Sequence, residues 1–167
     1  MTGLPARLTS DGTTSAEGEV INGTFDWVYE EEFDCRDGWD WSPDGKQLAI
    51  AIADSPQRLE FPPGKVLYTS SGTGWLGELR IAPQGDRIAL VDHTYFGGDA
   101  TISVVDLNGT KTELTGKFGT IFGLAWTPDG KEIWFTASKE TTQRSLYAVS
   151  LDRKQRLIYK LPGALGI

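Results

Sequence analysis

Sulfur and imidazole are nearly missing from this chain: its 167 residues include one cysteine, Cys35, one methionine and one histidine, His93. A single thiol excludes an intramolecular disulfide, so no bridge pattern points to an oxidising compartment, and Cys35 reads as a small core residue. One Cys and one His also exclude an ordinary zinc site. No apolar run approaches the length of a membrane span, and Met1–Gly18 is polar, without the apolar core of an export signal. Basic residues are outnumbered, 16 against 23 acids, giving a formal charge of −7. A field of that sign repels phosphate backbones and argues against nucleic acid as a partner, while it favours cations such as the ammonium of a peptide N-terminus.

Catalytic signatures are missing as well. There is no Gly-x-Ser-x-Gly elbow, and His93 has no Ser and Asp in a workable order around it. Neither a phosphate-binding loop ending in Gly-Lys-Ser/Thr nor a kinase catalytic loop occurs. Gly72-Thr73-Gly74-Trp75-Leu76-Gly77 satisfies the dinucleotide expression, but a strand rather than a helix follows it, so it is expected to be a crossover between repeats. Asp34, Asp37, Asp40 and Asp44 are spaced suggestively for calcium, yet Asp44 is accounted for by a turn and no Glu completes a loop of the usual length. No cofactor and no metal are expected.

What the chain does have is aromatics and turn formers: six Trp, five Tyr and seven Phe beside 20 Gly and eight Pro. Bulky rings suit pleated, half-buried surfaces, and Gly and Pro punctuate them. The arrangement is periodic. Trp41-Ser42-Pro43-Asp44-Gly45-Lys46, Ile81-Ala82-Pro83-Gln84-Gly85-Asp86 and Trp126-Thr127-Pro128-Asp129-Gly130-Lys131 are one motif at spacings of 40 and 45 residues. That period is the size of a four-stranded propeller blade, and the long 3.6-period stretches of a helical repeat are absent. Within each copy Pro presets the first corner and Gly accepts the positive φ that closes the turn. Leu48–Ile52, Ile88–Val91 and Ile133–Thr136 therefore return as strands. Third strands are predicted at Thr101–Leu107 and Ser145–Leu151, and short fourth strands near Glu113–Thr115 and Arg156–Tyr159. Arg58–Phe61 and Lys65–Tyr68 supply the outer strands of the first blade. Trp41, Ile81 and Trp126 hold equivalent positions and are expected in the core between blades, with Trp39 and Trp27 free to line a cavity mouth.

The run Gly123-Leu124-Ala125-Trp126-Thr127-Pro128-Asp129-Gly130-Lys131-Glu132-Ile133-Trp134-Phe135-Thr136 resembles the TolB-type, WD40-like propeller repeat. The stretch from about Leu59 to Ile167 further resembles propellers attached to bacterial serine/threonine kinases, where such a module senses or docks. Ile21-Asn22-Gly23-Thr24-Phe25-Asp26-Trp27-Val28-Tyr29-Glu30-Glu31-Glu32-Phe33, within a likeness covering about Arg7–Ile52, resembles the propeller of dipeptidyl peptidase IV-type enzymes. This resemblance implies that Glu31 and Glu32 project into the central cavity and hold a substrate's free α-amino group, with Glu30, Trp27 and Tyr29 lining the cavity. Adjacent carboxylates in a partly dehydrated cavity bind a primary ammonium by charge-assisted hydrogen bonds. A bare run of three acids is ordinarily a solvated loop. It is the flanking Asp26-Trp27-Val28-Tyr29 that sets the site reading beside that one.

The expected fold is thus all-β, a TolB-like propeller of about three to four antiparallel four-stranded blades forming an incomplete ring. Residues 1–24 read as a polar leader carrying the closing strand of a preceding blade, and blades are expected at about 25–74, 75–115 and 118–161. The expected role is a non-catalytic module that binds or scaffolds peptide or protein. Beside it stand the propeller of a dipeptidyl peptidase IV-like serine exopeptidase without its hydrolase domain, and the sensor propeller of a kinase. Unpaired end strands are templates for another chain, so self-association through blade edges is a further expectation.

Overall fold

Alternating apolar residues between Pro/Gly turns leave the chain a single economical solution, the antiparallel meander, and it makes three of them. The computed structural model describes residues 38–53, 56–93, 99–139 and 144–160. The first sheet runs β1 (Trp39–Trp41), β2 (Leu48–Ile52), β3 (Arg58–Glu60) and β4 (Val66–Thr69). The second runs β5 (Trp75–Ile81), β6 (Arg87–His93), β7 (Ala100–Asp106) and β8 (Lys111–Glu113). The third runs β9 (Thr120–Trp126), β10 (Glu132–Ser138), β11 (Ser145–Ser150) and β12 (Gln155–Lys160). Every neighbouring pair is antiparallel and each sheet follows chain order. These are three propeller blades, and the Gly72–Gly77 segment joins the first to the second.

The repeated motif forms the turn its chemistry demands. Gly45, Gly85 and Gly130 take φ of +68°, +71° and +67°. Their amides donate to the carbonyls of Ser42, Ala82 and Thr127 at 2.8, 2.7 and 2.8 Å. In two copies a hydroxyl adds a second closure: Ser42 Oγ donates to Asp44 at 2.6 Å and Thr127 Oγ1 to Asp129 at 2.7 Å. One expected strand differs. The fourth strand of the second blade ends at Glu113, before the expected Thr115, because the Thr115 hydroxyl accepts the Ile102 amide at 2.9 Å in place of a backbone partner.

Stacking of the sheets makes the core. Ala49, Ala51, Leu59 and Leu67 of the first blade meet Leu76, Leu79, Ile88, Leu90 and Val105 of the second. The opposite face of the second blade, with Ala89, Val91, Ile102 and Val104, meets Leu124, Ile133, Phe135 and Val149 of the third. Phe118 sits in this second seam edge-on to Phe135, with centroids 5.5 Å apart, and touches Tyr147 at 5.4 Å. Full burial of a ring such as Phe118 or Phe135 is worth about 2–3 kcal/mol.

Candidate functional site

The first strand of each blade lies against its counterpart in the next, β1 on β5 and β5 on β9, and these strands line the inner side of the stack. Two side chains stitch them. Asp40 Oδ2 accepts the Ile81 amide at 2.6 Å, and Trp126 Nε1 donates to the Arg80 carbonyl at 2.8 Å. Asp40 is thereby engaged as a strand-to-strand acceptor, and Asp44 as a turn acceptor whose carboxyl is held below the usual range chiefly by the Ser42 hydroxyl. Among the described residues no group of three or more acids, Cys or His is placed to hold a metal.

The expectation for the three repeat positions needs a correction at one of them. Ile81 is buried and Trp126 packs half-buried in the seam it bridges, but Trp41 is 40% exposed. The difference is positional: Ile81 and Trp126 each have a described blade before them to pack on, and Trp41 belongs to the first described sheet. Trp39 lies against Leu48 and Ile50 on its own sheet. Trp27, Tyr29, Glu30, Glu31 and Glu32 lie outside the described residues, as do Asp34 and Asp37.

Two features escaped the sequence reading. Glu78 on β5 adopts φ +54°, at the position that Gly123 occupies in the third blade with φ +64°. Both interrupt the register of an innermost strand with a bulge, and only one uses the residue type that does so without strain. The Glu78 carboxylate lies 4.0 Å from Arg80. The signal was available, since Glu78 falls in the Trp75–Ile81 strand three residues before the motif, where the third blade has Gly123.

The second feature is a polar cluster between the first two blades. Tyr68 Oη donates to Asp92 Oδ2 at 3.1 Å, and Lys111 Nζ bonds both that oxygen and, at 3.2 Å, the phenol. Burial pushes the Tyr68 phenol up, helped by the Asp92 charge. For Lys111, burial is the largest single influence and favours the neutral amine, but the bond to Asp92, the Asp92 charge and Tyr68 together outweigh it, leaving the ammonium above its ordinary value. A phenol made less acidic and an ammonium held more firmly are the reverse of an activated base or nucleophile at neutral pH. The cluster is a latch between blades. His93, the remaining chemically versatile group, is stacked on its cross-strand partner Trp75 at 3.5 Å with the rings 8° from parallel.

Solved structures share this arrangement of stacked four-stranded meanders. TolB from Acinetobacter baumannii matches with a TM-score of 0.58 at 18% identity over 77% of this chain and 33% of that one. The fold is that of a TolB-type β-propeller. The chain spans about a third of the length of that TolB. A eukaryotic initiation factor matches over 77% of this chain and 35% of its own, at 13% identity and a TM-score of 0.47. A protein assigned to TolB from Agrobacterium tumefaciens matches over 75% and 62%, at 19% identity and a TM-score of 0.34. The dipeptidyl peptidase IV (DPP IV) N-terminal region matches residues 2–61, a span that runs from the polar leader through Glu30–Glu32 to the end of β3. No curated protein matches the chain. The resemblance of the later repeats to kinase-attached propellers finds no support in these matches.

Proposed function

We propose that this TolB-type propeller is a non-catalytic module that binds peptide or protein segments through a free N-terminal ammonium, with Glu31 and Glu32 as its carboxylate acceptors and Glu30, Trp27 and Tyr29 around them. The observation that supports the reading is the match of residues 2–61 to the DPP IV N-terminal region, which covers the acidic run in its aromatic context. The net charge of −7 favours a cationic group. The described polar clusters are committed to holding blades together, so they point to binding rather than bond making.

The test is a titration of matched peptides, one with a free N-terminus and one acetylated, followed by isothermal calorimetry. A charge-assisted hydrogen bond contributes about 1.5–3 kcal/mol, so acetylation should weaken binding roughly tenfold or more. Glu31→Gln combined with Glu32→Gln should abolish the difference between the two peptides. Equal affinity of the two peptides for the unaltered protein overturns the ammonium site. The DPP IV match also favours a second reading, in which the module belongs to a serine exopeptidase and gates peptides toward a hydrolase domain. A reading frame continuing into a Gly-x-Ser-x-Gly elbow would select it.

A further inference from the structure

In each blade the fourth strand is the perimeter strand, and among the described residues it is paired on one side only. β4 and β8 keep that open edge short, at four and three residues, which is one way natural sheets discourage edge pairing. β12 has six. In an antiparallel ladder alternate residues turn their backbone groups away from the partner, so several amides and carbonyls of Gln155–Lys160 point away from β11. Leu157 is registered with Tyr147, on the side that packs against the second blade, and is still 54% exposed because it lies at the perimeter. The edge is thus longer than its counterparts and carries apolar surface in water.

Charge decides what can occupy it. Residues 153–160 read Arg-Lys-Gln-Arg-Leu-Ile-Tyr-Lys, four bases and no acid in a chain whose net charge is −7. Lys154 pairs with Asp152 at 2.7 Å and Arg156 with Glu132 at 2.6 Å, while no acid among the described residues pairs with Arg153 or Lys160. Arg153 also closes the turn before β12 with φ +66°, where the corresponding turn of the second blade has Gly109 at φ +85°. A base is therefore kept at a position that glycine fills without strain. Basic residues on an edge repel a second copy of the same strand, yet they leave it open to a strand of opposite charge. We propose that β12 is a docking edge for an acidic, extended segment of a partner protein. The segment adds to the third blade as a fifth strand, bonded along the backbone of Gln155–Lys160 and directing carboxylates toward Arg153, Arg156 and Lys160.

Fluorescence anisotropy on the full 167-residue chain, with a labelled peptide of about ten residues alternating Glu and Val, acetylated and amidated at its ends, tests the edge. Binding is expected to weaken as salt rises from roughly 50 to 500 mM, and amide exchange should slow in β12 and not in β4 or β8. A copy of the peptide with Pro at two central Val positions keeps the charge but loses backbone donors, and should bind about tenfold more weakly. Arg153→Glu with Lys160→Glu should raise the dissociation constant about tenfold, with circular dichroism confirming the fold. Arg153→Gly gives the turn the residue of the second blade, so it should raise the dissociation constant about threefold without lowering the urea midpoint, an outcome that a loss of folding does not produce. No binding at low salt, equal affinity for the Pro-containing copy, affinity unmoved by these substitutions, or a single-stranded oligonucleotide of equal charge binding as tightly as the peptide overturns the proposal. The capped peptide has no free N-terminus, so its failure to bind would leave the ammonium site standing, and failure of the ammonium site would leave this edge standing.

Discussion

Replacing Lys111 with Met tests the ion pair of the second blade that seats Tyr68 of the first. The substitution keeps the length and apolar stem of the side chain but removes the ammonium that bonds Asp92 and Tyr68. Asp92 has a side chain only 6% exposed, against 25% for Lys111. After the change, a carboxylate with little access to water keeps only the Tyr68 hydroxyl as a described donor. Breaking a fully buried ion pair costs about 3–5 kcal/mol. Lys111 is partly open to solvent and the phenol remains, so a loss of about 2 kcal/mol is expected for K111M. For Asp92→Asn the stranded group is the more exposed ammonium, which can turn to water, and the loss should be smaller, about 1 kcal/mol. The double variant K111M/D92N strands no charge and should recover much of the loss, giving a coupling of about 1–2 kcal/mol in the cycle. Urea unfolding at pH 7 by tryptophan fluorescence measures all four proteins. A K111M loss below about 0.5 kcal/mol, or strictly additive singles, would refute the claim that Lys111 and Asp92, both of the second blade, form the stabilising pair on which Tyr68 of the first blade is seated.

Four further outcomes follow from the same geometry. Glu78→Gly removes a left-handed residue whose backbone costs about 1–2 kcal/mol, offset by the greater flexibility of Gly in the unfolded chain, and should raise the unfolding free energy by about 0.5–1 kcal/mol; a loss of stability would mean that the pair with Arg80 outweighs the strain. Trp126→Phe deletes the bond to the Arg80 carbonyl and should cost about 1 kcal/mol in thermal or urea unfolding. Trp41→Phe, at the equivalent but exposed position, should cost less than about 0.5 kcal/mol in the monomer. Alkali should loosen the fold through Tyr68 and Lys111: both folded values are raised, so their stabilisation is complete below the ordinary 10.0 and 10.5 and is lost as pH climbs above them. The urea midpoint should therefore fall above pH 10, and fall less steeply in K111M.

The blades were legible in the sequence because turn chemistry is local. Pro43-Asp44-Gly45, Pro83-Gln84-Gly85 and Pro128-Asp129-Gly130 each dictate their own corner. The strands then follow from alternation, as β10 does from Ile133, Phe135 and Ala137 facing the second blade. What escaped was decided between repeats. Tyr68, Asp92 and Lys111 come from three strands of two sheets, and no spacing along the chain announces that they meet. The hint was Asp92, an acid at the end of the apolar run from Ile88 to Val91. The exposure of Trp41 was invisible for a related reason: equivalence in the motif predicts equivalence in space only where each copy has the same neighbours. The ammonium site rests on Glu31 and Glu32 by resemblance alone; they fall within the matched span of residues 2–61 and lie outside the described residues.

The stitching of the innermost strands carries a consequence for how the molecule comes apart. At the first seam a carboxylate of β1 captures a β5 amide; at the second an indole of β9 captures a β5 carbonyl. The two bonds use neighbouring backbone groups, Ile81 N–H and Arg80 C=O, on opposite sides of one strand, so β5 is the shared element and the middle blade is held from both sides. The first seam adds the Tyr68–Asp92–Lys111 cluster, while the second adds a bond from Gln84 Nε2 to the Asp129 carbonyl at 3.0 Å and apolar contact around Phe118 and Phe135. In a stack whose units touch only their neighbours, stability is close to a sum of blade and seam terms. The seam with the polar latch is the one whose strength changes with pH, and the apolar seam is not. At high pH the first blade should lose amide-exchange protection before the third, whereas removing ring contacts by Phe135→Leu should reverse that order at neutral pH.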